Sequence, residues 1–336
     1  MTSTKDLKIS TFGPVLTDLP VVSVKMITYN HEPFIREAIA SVFAQDFDGP
    51  MELVIGEDCS TDNTRAIIEE ACRNAPIPVR LLTSRQNVGM HANGARTLQA
   101  CGGRYVALLE GDDKWQSRDK TSKQVALLDA DSETLLVLAR CEIGYVNGAI
   151  QREGPDGAVV PQRKAGELTL EDIYFNREYL PTCTAMFRRS SLDEIPAWFK
   201  RCPWGDLSIW ALLAAEGKVV LMDECVGYYR VGFGMSAGYE AYQIAEKRSE
   251  MFFLLAARLP PSRCRSFLRV IDESMRHLLS SMERQGEVDR VCRVLKVWVT
   301  ARIRAGIFPA DIERWLIRCQ IRLARKRFQR IVASLR

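Results

Sequence analysis

Short apolar runs alternate with amphipathic segments along the first 115 residues. Four runs have the β-branched and aliphatic composition of buried strands: VVSVKMIT (21–28), MELVIGE (51–57), VRLLTS (79–84) and YVALLEG (105–111). Between them, helical patterns begin at about residues 33, 63 and 90. Strands separated by helices in this way predict an α/β fold, with a Rossmann-like, mostly parallel sheet flanked by helices on both faces.

The pattern changes after residue 116. It predicts a helix near 118–130, strand-like pieces near 134–140, 142–148 and 182–188, an exposed loop at 152–166, a helix at 207–217 and a strand from Lys218. From Tyr239 onward only helical patterns occur. We therefore predict a flexible N-terminal segment (1–18), an α/β domain (19–236) and a helical C-terminal region (239–336) as an appendage.

The composition is ordinary for a soluble globular protein, with 47% hydrophobic and 26% charged residues, but the charge is unevenly distributed. Residues 301–336 contain ten Lys or Arg against Asp311 and Glu313. A basic amphipathic tail of this kind packs on the rest of the chain, forms a homodimer, or makes peripheral contact with an anionic membrane. One face of its predicted helix carries Arg314, Arg318, Arg322 and Arg325. Nucleic acid is not expected as a partner, because no aromatic residues are interleaved with the basic ones.

The ten cysteines are scattered and form no CxxC pair, and the segment MTSTKDLKIS has no apolar run typical of a signal peptide. We therefore expect reduced thiols and a cytoplasmic protein, with the tail allowing a peripheral position at the inner face of the membrane. Three histidines without an HxxxH pattern argue against a zinc site.

Polar residues follow each of the four predicted strands. They are Thr28, Tyr29, Asn30, His31 and Glu32 after the first, Glu57 and Asp58 after the second, Arg85, Asn87 and Gly89 after the third, and Glu110, Gly111, Asp112 and Asp113 after the fourth. Ligands of open α/β sheets bind beyond the carboxyl ends of the strands, so these residues are candidates for one site. Any single group could instead cap a helix or form a turn.

Three carboxylates stand within four positions at Glu110-Gly111-Asp112-Asp113. They repel one another, and a bound divalent cation would turn that repulsion into attraction. Oxygen ligands without nearby His or Cys in the motif favour Mg²⁺ or Mn²⁺. The chain has no GxxxxGK[ST] motif and no GxGxxG after the first strand, which argues against a P-loop protein and a dinucleotide enzyme.

Five segments in order resemble the inverting glycosyltransferases of family 2, of bacterial polysaccharide type, which have the GT-A fold. They are VSVKMITYNHEPFIREAIASVFAQ, ELVIGEDCSTDNT, RQNVGMHANGAR, YVALLEGDDKW and PWGDLSIWALLAAEGKVVLMDECVGYYRVGFGMSAG. The resemblance covers roughly residues 19–236. It implies transfer of a sugar from a nucleotide-sugar donor, usually a UDP-sugar, to a saccharide or lipid-linked acceptor.

The resemblance also implies a role for each matching residue. Donor-site residues would be Thr28, Tyr29, Asn30, Glu32, Glu57 and Asp58 at the base and ribose, Arg85, Asn87 and Gly89 along the nucleotide and sugar, Glu110 and Gly111 at the ribose side, and Arg230 at the diphosphate. Asp112 and Asp113 would ligate Mn²⁺ or Mg²⁺, and Asp206 would be the general base. One position departs from the family, because Gly232 stands where a His is frequent.

The inventory suits the chemistry independently of the resemblance. An acceptor hydroxyl must lose its proton as it attacks the anomeric carbon from the face opposite the leaving nucleoside diphosphate, which requires a carboxylate on the acceptor side and a cation on the phosphate side. Two alternatives remain open. A sugar nucleotidyltransferase would need a glycine-rich basic loop where this chain has TYNHEP, and a catalytically degenerate GT-A protein would bind nucleotides or act as a scaffold.

Overall fold

A computed structural model describes residues 7–145, 150–151, 165–175, 180–192, 205–231 and 251. The chain divides into two compact units, Met1–Gly238 and Tyr239–Arg336. Most of the predicted loop at 152–166, Gly232, and the basic tail with its four arginines lie outside the described residues. Within those residues, no helix combines the length and apolar character needed to cross a bilayer.

The described residues contain eleven strands and six α-helices. The strands are β1 (Lys8–Phe12), β2 (Val22–Thr28), β3 (Met51–Glu57), β4 (Val79–Thr83), β5 (Tyr105–Glu110), β6 (Lys114–Trp115), β7 (Thr134–Tyr145), β8 (Ile150–Gln151), β9 (Gly166–Leu168), β10 (Met186–Arg188) and β11 (Lys218–Val231). The helices are α1 (Ile35–Phe43), α2 (Thr64–Ala71), α3 (Met90–Ala100), α4 (Lys120–Ala130), α5 (Leu170–Phe175) and α6 (Gly205–Glu216). Short 3₁₀ turns cover Thr182–Thr184 and Arg189–Leu192.

The strands form one sheet in the order β1-β4-β3-β2-β5-β10-β7-β11-β6, with β8 on β7 and β9 on β11. The four strands β4, β3, β2 and β5 are mutually parallel, as predicted. β10 runs antiparallel to both β5 and β7, and β11 returns to a parallel pairing with β7. The predicted α/β class is therefore confirmed, with antiparallel strands confined to the second half of the sheet and its edges.

The spacing of apolar residues explains how the helices cover the sheet. Val24 and Met26 alternate along β2, while Ile35, Ile39 and Val42 recur at helical spacing on α1, and all five belong to one buried cluster. Burying an aliphatic side chain of this size contributes about 1.5–3 kcal/mol. The apolar residues that predict the strands and helices are thus the ones that pack them together. The polar residues at the strand ends lie at the edge of this core.

The structure corrects three details. Lys8–Phe12, inside the segment predicted to be flexible, is the strand β1, which pairs antiparallel with β4. It lies at the edge of the sheet with mostly exposed side chains, so its sequence KISTF lacks an apolar pattern. The predicted piece 134–140 and the described part of the piece 142–148 belong to one strand, β7, which the structure gives as Thr134–Tyr145, while 146–148 lie outside the described residues. Within 182–188 only Met186–Arg188 is a strand.

Candidate functional site

The register of the parallel strands brings the predicted polar residues to one edge. Thr28 lies opposite Glu57 on β3, and Ile27 lies opposite both Gly56 and Glu110. Two backbone hydrogen bonds tie the loops that follow: the Asp58 amide donates to the Thr28 carbonyl at 3.1 Å, and the Gly111 amide donates to the Ile27 carbonyl at 3.0 Å. The loops after β2, β3 and β5 therefore meet at a single site.

Asn30 and Glu32 hold the loop after β3 in place. Asn30 has a left-handed backbone (φ 56°), and its Oδ1 accepts a hydrogen bond from the Thr61 amide at 2.8 Å. The Glu32 carboxylate accepts from the backbone and side-chain nitrogens of Asn63 at 3.0 and 2.8 Å, at the start of α2. In this structure both side chains shape the site, whereas the neighbouring Tyr29 is 42% exposed at the rim. Contact of these three residues with a nucleotide stays a prediction.

Asp58 organises the loop between β4 and α3. Its two carboxylate oxygens accept hydrogen bonds from the amides of Val88 and Gly89, each at 2.9 Å. Gly89 needs its left-handed backbone (φ 84°) at this turn, and Asn87 Oδ1 also accepts from the Gly89 amide at 2.9 Å. Asp58 therefore presents the exposed residues Arg85 and Asn87 beside the strand ends.

Arg96 on α3 completes this part of the site and was not predicted. Its Nη2 donates to the Glu57 carbonyl at 2.9 Å and lies 3.7 Å from Asp58 Oδ1. The Glu57 carboxylate in turn accepts from the Ser60 amide at 2.5 Å. Arg96 follows Gly89 by about two helical turns. The helical spacing of the RQNVGMHANGAR segment could therefore have predicted that Arg96 lies on the same side of α3 as the Gly89 loop.

The three carboxylates that raised the metal hypothesis lie together. Glu110, Asp112 and Asp113 each place an oxygen within 4.8 Å of the others. Asp113 is fully buried, and burial together with the charges of Asp112 and Glu110 holds its pKa well above the ordinary value. Burial and the neighbouring Asp112 and Asp206 raise the pKa of Glu110 to about 8. The cluster disfavours its own negative charge, as a cation-binding site does before the cation arrives.

Unpartnered polar atoms concentrate at this cluster. In the part of the chain that the structure describes, four buried side-chain polar atoms have no hydrogen-bond partner, and three of them are Thr28 Oγ1, His31 Nδ1 and Asp113 Oδ2. Leaving such an atom unpaired costs about 1–3 kcal/mol, so a native site usually offers it a ligand. The orphaned Asp113 oxygen beside Asp112 therefore fits a divalent cation.

Asp206 joins the same site from α6. It lies in the first turn of that helix, where Oδ1 accepts from the Leu207 amide at 2.7 Å and Oδ2 accepts from the Thr182 hydroxyl at 3.2 Å. Burial raises the pKa of Asp206, while those two hydrogen bonds and the charge of Lys25 oppose the shift. Since its charge is also a cause of the raised Glu110 pKa, the predicted base and the acidic cluster share one electrostatic environment.

Lys25 and Thr182 are two further residues that the sequence did not single out. Lys25 sits inside the apolar strand β2, and burial lowers its pKa even though Glu110 and Asp206 attract its charge. Thr182 also forms a hydrogen bond with Glu110 that favours the charged carboxylate. The charge of Lys25 and the hydroxyl of Thr182 thus favour the ionised forms of Glu110 and Asp206, whereas burial disfavours them.

Arg230 fastens β11 to the acidic loop. Its amide donates to Asp113 Oδ1 at 2.9 Å, its Nη1 donates to the Asp112 carbonyl, and its Nη2 pairs with Glu37 at 2.5 Å. Lys114 pairs with the other oxygen of Glu37 at 2.5 Å. The predicted diphosphate contact thus lies beside the cluster, with Glu37 of α1 as an unforeseen partner.

Comparison with known proteins decides the family. The family model described as "Glycosyl transferase family 2" matches residues 23–196, about half of the chain, including the loops described above. The chain belongs to glycosyl transferase family 2. The resemblance seen in the sequence is thereby confirmed.

Two curated relatives of this family-2 chain show how far the similarity extends. An uncharacterized protein of Mycobacterium tuberculosis, Rv1520, is 34% identical over 210 residues, which are 62% of this chain and 58% of that protein. The putative teichuronic acid biosynthesis glycosyltransferase TuaG of Bacillus subtilis is 28% identical over 215 residues, which are 63% of this chain and 79% of TuaG. The first of these alignments therefore spans less than two thirds of the relative.

A solved structure supports the fold of this family-2 protein. Residues 1–349 of Staphylococcus aureus TarS, in complex with UDP-GlcNAc, superpose with a TM-score of 0.63 at 18% identity, covering 91% of this chain and 88% of the TarS chain. At that identity the match establishes the fold alone. The GT-A-type architecture expected for the family is confirmed.

Gly111 provides a direct test of how tightly the site is built. A Cβ atom on Gly111 would stand 2.6 Å from Thr28 Oγ1 and 2.9 Å from His31 Nδ1, both closer than real contacts allow. We expect Gly111→Ala to lower the free energy of unfolding by about 1–3 kcal/mol, because overpacking of a filled site costs that much. Urea denaturation of the variant measures the change.

Gly94→Ala is the matched control, since the nearest heavy atom to its new Cβ is Lys25 Nζ at 3.8 Å, an ordinary contact. Alanine in this helical position should be neutral or stabilise by about 0.4–1 kcal/mol. Equal stability of the two variants would contradict the tight packing of Gly111 against Thr28 and His31.

Proposed function

We propose that this protein is an inverting glycosyltransferase that moves a sugar from a UDP-sugar to a hydroxyl of a saccharide or lipid-linked acceptor by metal-assisted direct displacement, as in bacterial polysaccharide assembly. The observation that carries the proposal is the common environment of Asp206 and the Glu110–Asp113 cluster. A base for the acceptor and a cation site for the leaving group are the two elements that this displacement requires.

The donor side is formed by the loops after β2, β3 and β4. Tyr29 offers an exposed ring at the rim for stacking on a nucleotide base, and Asp58 holds the loop from which Arg85 and Asn87 extend. The TarS structure that shares this fold contains UDP-GlcNAc, which supports a UDP-sugar as the donor. The UDP-GlcNAc in that structure also supports the transfer of a hexose-type sugar.

Asp112 and Asp113 are the residues that would hold Mn²⁺ or Mg²⁺ at the diphosphate. When bound, the cation supplies electrostatic stabilisation of the charge that develops on the leaving nucleoside diphosphate. Arg230 positions both residues, because its amide and its Nη1 bind the Asp113 carboxylate and the Asp112 carbonyl. The orphaned Asp113 Oδ2 is the structural support for this placement.

Asp206 removes the proton of the acceptor hydroxyl. Its raised pKa makes the carboxylate a stronger base than an exposed Asp, while hydrogen bonds from Leu207 and Thr182 fix its orientation. The nucleophilic oxygen then attacks the anomeric carbon from the side opposite the diphosphate, which inverts the configuration.

A thermal-shift experiment on the full-length protein tests the donor and the metal. We expect UDP and its matching UDP-sugar to raise the melting temperature in the presence of Mn²⁺ and to have little effect in EDTA, since a ligand at 100 times its Kd stabilises the native state by about 2.7 kcal/mol. ADP and GDP serve as controls. Failure of every nucleotide to raise the melting temperature with Mn²⁺ present would contradict the proposed donor site.

Product analysis separates the alternatives. A glycosyltransferase releases UDP from the UDP-sugar, a sugar nucleotidyltransferase releases pyrophosphate from UTP and a sugar 1-phosphate, and a degenerate GT-A protein binds the nucleotide without turnover. We expect UDP release that depends on Asp206. Pyrophosphate release, or binding alone with the full range of acceptors, would favour one of the other two functions.

A further inference from the structure

His31 carries an imidazole nitrogen that the protein leaves unused. Its Nδ1 is buried without a hydrogen-bond partner, and it lies 3.8 Å from Asp112 Oδ1, which is too far for a hydrogen bond. The main chain around it is fully engaged: the His31 amide donates to Thr64 Oγ1 at 2.8 Å, and its carbonyl accepts from the amides of Phe34 and Ile35. These bonds fix the main chain at His31, and the Nδ1 atom lies next to Gly111, where an added Cβ would stand 2.9 Å from it.

A single cation can bridge the gap between the two atoms. Metal–nitrogen and metal–oxygen bonds are each about 2.1 Å long, so one ion can contact two ligand atoms up to about 4.2 Å apart. The separation of 3.8 Å between His31 Nδ1 and Asp112 Oδ1 lies within that reach. Asp112 links His31 to the acidic cluster, since it also lies with Glu110 and Asp113 in the group whose oxygens are within 4.8 Å of one another. In that group Asp113 Oδ2, on a fully buried side chain, is a further atom without a hydrogen-bond partner.

We propose that His31 Nδ1 ligates the divalent cation together with Asp112, and that this nitrogen makes the site prefer Mn²⁺ and Co²⁺ over Mg²⁺. The inference rests on the proposed function in one respect, namely that a cation binds at Asp112. Imidazole nitrogen suits first-row transition ions, whereas Mg²⁺ strongly favours oxygen ligands. The four-residue acidic motif alone predicts no such preference, because its ligand atoms are all oxygens.

Pulsed electron paramagnetic resonance of Mn²⁺ bound to the full-length protein with UDP reads the ligand directly. We expect modulation from a coordinated ¹⁴N nucleus and coupling to the ³¹P nuclei of UDP. The nitrogen signal should vanish in His31→Asn, because the shorter amide side chain removes the imidazole. It should persist in the control His91→Asn, which replaces a histidine of α3. The phosphorus coupling should remain in all three proteins.

Competition between the ions gives a second measurement. Titrating Mg²⁺ against bound Mn²⁺ should show that His31→Asn loses about tenfold or more of the preference for Mn²⁺, since even the loss of a group behind a metal ligand costs about 10–100-fold in metal affinity. His91→Asn should keep the preference of the natural protein. An unchanged preference in His31→Asn would overturn the proposal.

The outcomes distinguish this inference from the function on which it rests. Phosphorus coupling without a nitrogen signal in the natural protein would overturn the role of His31 and leave a metal-assisted transferase intact. Absence of Mn²⁺ binding even with UDP would overturn both. If His31→Asn fails to fold, ¹⁵N-histidine labelling of a His91→Asn, His277→Asn double variant decides the question, because His31 is then the one histidine left in the sequence and the ¹⁴N modulation must be replaced by a ¹⁵N signal.

Discussion

Asp206→Asn is expected to reduce sugar transfer by at least about a hundredfold, because general-base catalysis contributes roughly 10²–10⁴-fold. Asparagine keeps an oxygen for the Leu207 amide or the Thr182 hydroxyl, so the start of α6 should remain intact. We therefore expect a melting temperature close to that of the natural protein and normal binding of UDP with Mn²⁺. Initial rates with the acceptor, calorimetry with UDP and a melting curve measure the three quantities.

The pH dependence of transfer provides an independent test of Asp206 as the general base. The base must be ionised, so kcat/KM should fall as the pH decreases through the pKa of Asp206, which lies above the ordinary value of 3.8 because of burial. In Asp206→Asn this acidic limb should disappear from the residual rate. In the same variant the pKa of Glu110 should fall below the value of about 8 that it has in the natural protein, since the charge of Asp206 is one cause of the raised pKa.

Asp119→Asn is the matched control for Asp206→Asn. Asp119 is also a carboxylate next to the start of a helix, α4, but it pairs with Lys123 at the surface, outside the acidic cluster. Its substitution should leave transfer and UDP binding unchanged. Near-normal transfer by Asp206→Asn would end the assignment and shift the search for the base to Glu171 and Asp172 in the first turn of α5 and to Glu178, which lies outside the described residues. Loss of UDP binding in Asp206→Asn would instead assign this residue to the donor side.

Asp112→Asn is expected to remove the metal dependence of UDP binding. Loss of one charged ligand should weaken the binding of Mn²⁺ by about tenfold or more. The binding of UDP should weaken with it, because UDP binds through the ion. In EDTA, without bound metal, the substitution should instead stabilise the folded protein. It relieves the repulsion that raises the pKa values of Glu110 and Asp113. The variant should therefore melt at a higher temperature than the natural protein without metal and gain less when Mn²⁺ and UDP are added.

Calorimetric titration of UDP with Mn²⁺ and with EDTA, in the natural protein and in Asp112→Asn, gives the four affinities needed. Asp46→Asn is the control, since Asp46 is an exposed carboxylate paired with Arg118 away from the cluster. It should behave as the natural protein does in both buffers. Equal affinities in all four titrations would remove the metal from the mechanism.

The sequence by itself determined the parallel half of the sheet and where its ligand edge lies. Apolar runs of strand length with helical periodicity between them leave few alternatives to parallel strands with covering helices, and parallel strands in register place their carboxyl ends together. The grouping of Thr28, Asp58 and Glu110 followed from that rule, since each stands at or just after a strand end. The acidic motif was identifiable for a simpler reason: its three carboxylates, Glu110, Asp112 and Asp113, stand within four consecutive positions of the chain.

Only the tertiary structure decided which groups meet from distant segments. Nothing in the sequence shows that Asp206 of α6 lies near enough to Lys25 of β2 to act on its pKa, or that Glu37 of α1 pairs with Arg230 of β11. Both interactions depend on how far a strand runs and which face a helix presents. The strand β1 escaped prediction because an edge strand needs no buried face and therefore leaves no apolar pattern. The role of His31 also depends on the tertiary structure. In the sequence, a polar residue in a loop predicts only a turn. The alignment of β2 and β5 in register is what brings its unpartnered Nδ1 close to Asp112.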